Sequence, residues 1–238
     1  MLLIVALLIP AVAAAARSPL LPHPAAAAAQ ASGGGAAAPA VVQVLDMDGN
    51  LVVPDVDAMP VPQASAKAEA QATPQVDGQR FAVPAVGLNV PLGVMSAVKG
   101  VVVPPGFTSA YVVRDFGVSL ADAASGTVYI ATHSLRGGGK APGNWLIDIP
   151  DQRSAVSVGA LITVGPLTYR VTGTSVVPKP QLAADKDVWR SAPGRLIVIT
   201  CLQNRQGTPS TNNMVLMGTL QTSPTPTTAP TPQAAGAS

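Results

Sequence analysis

The chain has 238 residues, with 24 Pro, 22 Gly, three Phe, three Tyr, two Trp and 11% charged residues, so many turns and a Val/Leu/Ile/Ala core are expected. Its formal net charge of +2 hides a split: residues 1–78 carry two basic residues, Arg17 and Lys67, against six acidic, whereas residues 79–221 carry twelve against six. Without aromatic platforms or dense Arg/Lys clusters, that balance argues against nucleic acid as a partner; one cysteine rules out an internal disulfide.

Taken in order, Leu2–Ala16 is an apolar run closed by Arg17. It is short for a spanning helix and ends in small residues, so residues 1–17 are expected to be a signal peptide or membrane anchor, and the chain's only contact with a membrane. Residues 18–78 are Ala/Pro/Gln-rich and read as a linker, because such composition buries too little apolar surface to offset ordering entropy. Inside it, Val41–Val53 reads as two short strands around Asp48-Gly49-Asn50. The acidic cluster there, Asp46 with Asp48, is expected to be a turn: its glycine is misplaced for a calcium loop and no Glu closes it. No metal and no cofactor are expected.

The globular part is expected over residues 79–221, beginning near Arg80. Arg80–Pro84 and Leu88–Leu92 read as short strands whose prolines confine them to edges or ends. Gly100–Phe107 reads as a strand entering a turn, and Ser119–Ala124 as a short helix or loop. Thr127–His133 is the first strongly β stretch; Arg136–Gly143 after it is expected to be a flexible rim beside the histidine. Asn144–Ile149 reads as a helical turn. Ala160–Val164 and Leu167–Thr174 form a hairpin about Gly165-Pro166, and Gln181–Arg190 reads as one short helix. A strand over Leu196–Cys201, a polar loop over Gln203–Asn212 and a strand over Met214–Leu220 complete an all-β barrel or sandwich with at most two brief helices. Residues 222–238 read as a disordered Pro/Thr tail. Trp145 and Trp189 are expected to be packing anchors, and Arg114-Asp115 and Asp185–Asp187 solvated charges.

The chemistry sits at two strand ends. Cys201, the only cysteine, closes the run RLIVITC, and His133 closes TVYIATH; the other histidine, His23, lies in the linker. A lone cysteine reads either as a small buried hydrophobe or as a reactive thiol. If it is a nucleophile, an imidazole can take its proton and return it to a leaving amine, and the acyl group is held as a thioester. Backbone amides after Cys201, with Arg205, Asn212 or Asn213, are the available oxyanion donors.

These two runs, with the intervening hairpin LITV/LTYRV, the opening RFAVP with Pro91, and the closing strand, resemble the sortase family over residues 79–221, especially its actinobacterial class E and F members. The resemblance implies an eight-stranded β-barrel with one or two short helices, Cys201 as transpeptidase nucleophile and His133 as general acid/base. It further implies cleavage of a sorting-signal peptide of the LPxTG type and transfer to an amine of peptidoglycan or its precursor, at the extracellular face of the bacterial membrane or in the cell wall. Thr132, Thr200, Asn212 and Asn213 would then line the substrate. Two departures stand out. Family members carry an arginine at the start of the closing strand, but no arginine follows Arg205, which is therefore the candidate for a relocated clamp. Thr132 stands where many members have glycine. The alternatives are a sortase-fold binding or assembly module without catalysis, and a thiol peptidase that releases the acyl group to water.

Overall fold

The computed structural model describes residues 43–52, 59–60, 75–97 and 100–221. The expected signal segment, most of the linker and the tail lie outside them. Fourteen strands follow in order: β1 (Val44–Leu45), β2 (Leu51–Val52), β3 (Met59–Pro60), β4 (Gln75–Val83), β5 (Leu88–Met95), β6 (Val101–Val102), β7 (Ala110–Val113), β8 (Thr127–Ala131), β9 (Ile147–Asp148), β10 (Arg153–Ser154), β11 (Leu161–Val164), β12 (Leu167–Pro178), β13 (Arg195–Leu202) and β14 (Asn212–Leu220). Two one-turn helices, α1 (Lys179–Leu182) and α2 (Lys186–Trp189), separate β12 from β13.

Eight strands close into a barrel in the order β11-β12-β14-β13-β8-β7-β5-β4, which leaves no open sheet edge. This is the expected all-β barrel with two short helices. Two seams, β5/β7 and β13/β8, are parallel and the rest antiparallel. A parallel pair needs a crossover connection. That between β8 and β13 carries the β9/β10 and β11/β12 hairpins and both helices.

Strand β13 is buried at all eight positions, as its unbroken apolar run requires of a strand covered on both faces. Its side chains alternate. Leu196, Val198 and Leu202 join Phe81, Val112, Ile130 and Leu216 inside the barrel. Ile197 and Ile199 join Tyr129, Ala131 and Val215 in a second cluster outside it, under Leu182, Val188 and Trp189.

Several expectations need correction. The barrel's first strand begins at Gln75 rather than near Arg80. Pro91 lies within β5 but before Leu92, where pairing to β7 starts, so its missing N–H breaks no bond on that side. The single helix over 181–190 is two turns, because the Asp185 carboxylate caps a fresh start by accepting from the N–H groups of Asp187 (2.9 Å) and Val188 (3.1 Å). Asp185 is thus a cap, and Asp115 accepts from the Ala97 N–H, so neither is a merely solvated charge. β7 and the β9/β10 hairpin went unread because runs of two to four residues carry little periodicity. Trp189 is the anchor expected: its ring stacks on Tyr129 at 5.2 Å and its Nε1–H donates to the Leu182 carbonyl.

Candidate functional site

The parallel β13/β8 ladder pairs Arg195 with Thr127 and runs to Ile199 with Ala131. It continues one step further, with the Thr132 N–H donating to the Ile199 carbonyl at 3.1 Å. Two more residues along each chain stand Cys201 and His133, at adjacent strand ends. Alternation puts Cys201 on the outer face with Ile197 and Ile199, and His133 continues the face of Tyr129 and Ala131. On the other side, antiparallel β14 sets Asn213 directly opposite Cys201 and Val215 opposite Ile199. Three neighbouring strands therefore bring a thiol, an imidazole and a carboxamide together on one face.

The backbone around this row is locked by side chains that the sequence reading did not single out. Ser134 Oγ donates to the Cys201 carbonyl at 2.6 Å. Gln203 Nε2 donates to both the carbonyl (3.1 Å) and the Oγ (3.0 Å) of Ser134. The loop after His133 is tied back as well: the Gly143 N–H donates to the His133 carbonyl at 2.7 Å, and Asn144 Oδ1 accepts from the N–H groups of Leu135 (2.8 Å) and Ala141 (2.9 Å). The available signal was polar residues immediately after each strand-end residue, which is also what any surface loop looks like.

The loop expected to be a flexible rim is clamped from a third side. The β1/β2 hairpin forms as expected, with the Asp46 carboxylate accepting from the N–H groups of Asp48 (3.0 Å) and Asn50 (2.8 Å), the work of a turn rather than of a calcium ligand. The same carboxylate accepts from the Lys140 N–H at 3.2 Å, the Met47 N–H donates to the Lys140 carbonyl at 2.8 Å, and Lys140 Nζ pairs with Asp48 at 2.6 Å. Among the described residues no cluster of three or more His, Cys, Asp or Glu could hold a metal.

Gly143 is a point of close approach. A Cβ there would overlap Thr200 Oγ1 and lie 2.6 Å from the His133 carbonyl oxygen. Gly143→Ala is expected to cost about 1–3 kcal/mol in urea unfolding, as overpacking of a filled site does. An unchanged midpoint would contradict this contact.

Both side chains are buried, Cys201 at 1% and His133 at 2% exposure. The segment after β6 covers the imidazole: Phe107 stacks on it with centroids 4.3 Å apart, and Nε2 lies 2.7 Å from the Pro104 carbonyl. A carbonyl can only accept, so Nε2 carries the proton and Nδ1 the lone pair. Burial pushes the imidazole pKa down to about 4, with the Pro104 hydrogen bond opposing the fall. Asn213 is fully buried, and neither its Nδ2 nor its Oδ1 has a hydrogen-bond partner among the described residues. Leaving an amide so placed costs on the order of 1–3 kcal/mol.

The remaining candidates fall elsewhere. Thr132 Oγ1 donates to the Ser109 carbonyl at 3.2 Å, a structural bond. Thr200 is fully buried, with its Oγ1 against Gly143. Asn212 pairs with Leu202 and reaches only its neighbour Thr211. Arg205 is exposed, and its guanidinium donates to the Pro150 carbonyl at 2.6 Å. It lines a cavity of about 560 Å³ with Arg136, Lys140, Asn144 and Gln203, between the loops that leave β8 and β13. In this conformation it bonds neither Cys201 nor His133.

No family model and no curated protein matches the chain. Among solved structures it is similar to sortase C1 of Streptococcus agalactiae in complex with MTSET, with 14% identity over 62% of this chain and 71% of that one, at a TM-score of 0.42. It is similar also to the sortase D5 transpeptidase of Clostridium perfringens (13% identity, 61% and 80% covered, TM-score 0.42). A third similar structure is the Pilus Island 1 sortase C2 of Group B Streptococcus (12%, 71% and 89%, 0.44).

Proposed function

We propose that the chain is a sortase-type cysteine transpeptidase acting at the outer face of a bacterial membrane or in the cell wall. The observation that carries the reading is the row on the barrel's outer face, where Cys201 and His133 stand just beyond the paired part of two parallel strands. The resemblance of the two strand-end motifs to the family, closest to its class E and F members, supports it. In this reading the Cys201 thiolate attacks the carbonyl carbon of an LPxTG-like sorting motif, and the tetrahedral intermediate expels the amine, which takes a proton from His133. The acyl group stays on sulfur as a thioester. An amine of peptidoglycan or its precursor then attacks, gives a proton to His133 and expels the Cys201 thiolate, which takes that proton back from His133. The segment Pro104–Phe107 has to leave the imidazole before a peptide can reach that ring.

Two observations favour a second reading, a binding or assembly module without catalysis: both groups are almost fully covered, and the residue opposite Cys201 is Asn213 rather than an arginine. Incubating the full chain with LPxTG-type peptides and a small amine separates the cases. A product carrying the amine supports transpeptidation. Hydrolysis unaffected by the amine indicates a thiol peptidase, and peptide binding with no cleavage would overturn the enzymatic reading in favour of the module.

A further inference from the structure

We infer that Asn213 is a catalytic residue of this site, its carboxamide holding the oxygen of the scissile carbonyl as charge develops on it. The inference rests on the transpeptidase reading and decides a point that reading leaves open: which side chain serves where family members carry an arginine.

Three observations converge on Asn213. It is the direct cross-strand partner of Cys201, and opposed residues of an antiparallel pair share a face, so its side chain belongs to the same row as the thiol. It is fully buried, held by the β12/β14/β13 sheet rather than by a loop, since its backbone pairs with Val177 on one side and Cys201 on the other. Neither polar atom of the carboxamide has a partner among the described residues. A buried donor and a buried acceptor side by side match a peptide unit. In this role Nδ2–H donates to a carbonyl oxygen arriving at the sulfur, and Oδ1 accepts from the following N–H of the peptide. A neutral donor fixed in a water-excluded site stabilises an oxyanion without moving during the reaction.

Arg205 is the rival, and its geometry fits the role poorly. Its guanidinium is exposed and engaged with Pro150, on the rim of the cavity between the two loops. Using it would require breaking that bond and refolding the loop over the sheet.

Asn213→Leu keeps the volume close and removes both polar atoms. It is expected to lower kcat for LPxTG-type peptide cleavage by the full chain about 10²–10³-fold with little change in KM, because the interaction is made mainly in the transition state. Thermal unfolding should show a midpoint equal to or above wild type, since an unpaired buried amide is gone. A merely structural asparagine would give the opposite pattern, a lower midpoint and unchanged kcat. Arg205→Ala, run alongside, is expected to stay within about threefold of wild type, as a charge removed from an exposed rim should. Wild-type turnover that persists in Asn213→Leu but is lost in Arg205→Ala would overturn the inference and leave the transpeptidase reading standing. A wild type that cleaves no peptide would overturn both.

Discussion

His133→Gln is expected to lower acyl transfer about 10²–10⁴-fold, the usual contribution of a positioned general acid/base, while leaving the barrel folded. Glutamine is the informative replacement because its Nε2 can still donate to the Pro104 carbonyl, as His133 Nε2 does at 2.7 Å. What it lacks is the Nδ1 lone pair that, in the proposed mechanism, accepts the thiol proton. The imidazole has to become a better base than its covered state allows, since burial holds its pKa at about 4. In the proposed mechanism, displacement of Phe107 and Pro104 by a peptide leaves the ring beside a forming thiolate, whose negative charge raises its proton affinity. Comparing kcat/KM for wild type and His133→Gln at neutral pH checks this. Retention of more than about a tenth of wild-type activity would remove His133 from the chemistry.

Acid should weaken the fold through the same residue. The folded imidazole has its pKa at about 4, below the 6.5 of an exposed histidine. Above pH 6.5 both folded and unfolded chains carry the neutral ring, and stability is fully present. As pH falls from 6.5 towards 4 the unfolded chain takes up a proton that the folded chain refuses, so unfolding becomes easier. Below 4 both states are protonated and this group adds nothing more. Across the window the loss is about 3 kcal/mol. Urea unfolding of wild type and His133→Gln at several pH values isolates it, because carboxylates titrate alike in both proteins. Equal slopes in the two would contradict the buried neutral imidazole.

Much of the barrel was legible because its long strands carry strong signals. The Leu196–Cys201 run reads as a strand buried on both faces, and the Gly165-Pro166 turn fixes the β11/β12 register, with Val164 paired to Leu167. The placement of Cys201 and His133 at strand ends followed from where the apolar runs stop. Their adjacency did not: it depends on a parallel seam between strands far apart in sequence, and no local pattern encodes such pairing. The clamp was harder still. Arg205 is the last arginine in the chain, yet cross-strand register decides what stands opposite Cys201, and that residue is Asn213. Phe107 and Pro104 read as a turn, since nothing in GVVVPPGF says that its ring and carbonyl cap a residue on another strand.

The most direct measurement is the intact mass of the full chain after incubation with LPxTG-type peptides, wild type beside Cys201→Ala. The account predicts a wild-type species heavier by the acyl portion of the peptide, discharged by hydroxylamine as a thioester should be and absent from Cys201→Ala. An unmodified wild type, with peptide bound and intact, would contradict it and leave a barrel that recognises sorting peptides without reacting with them.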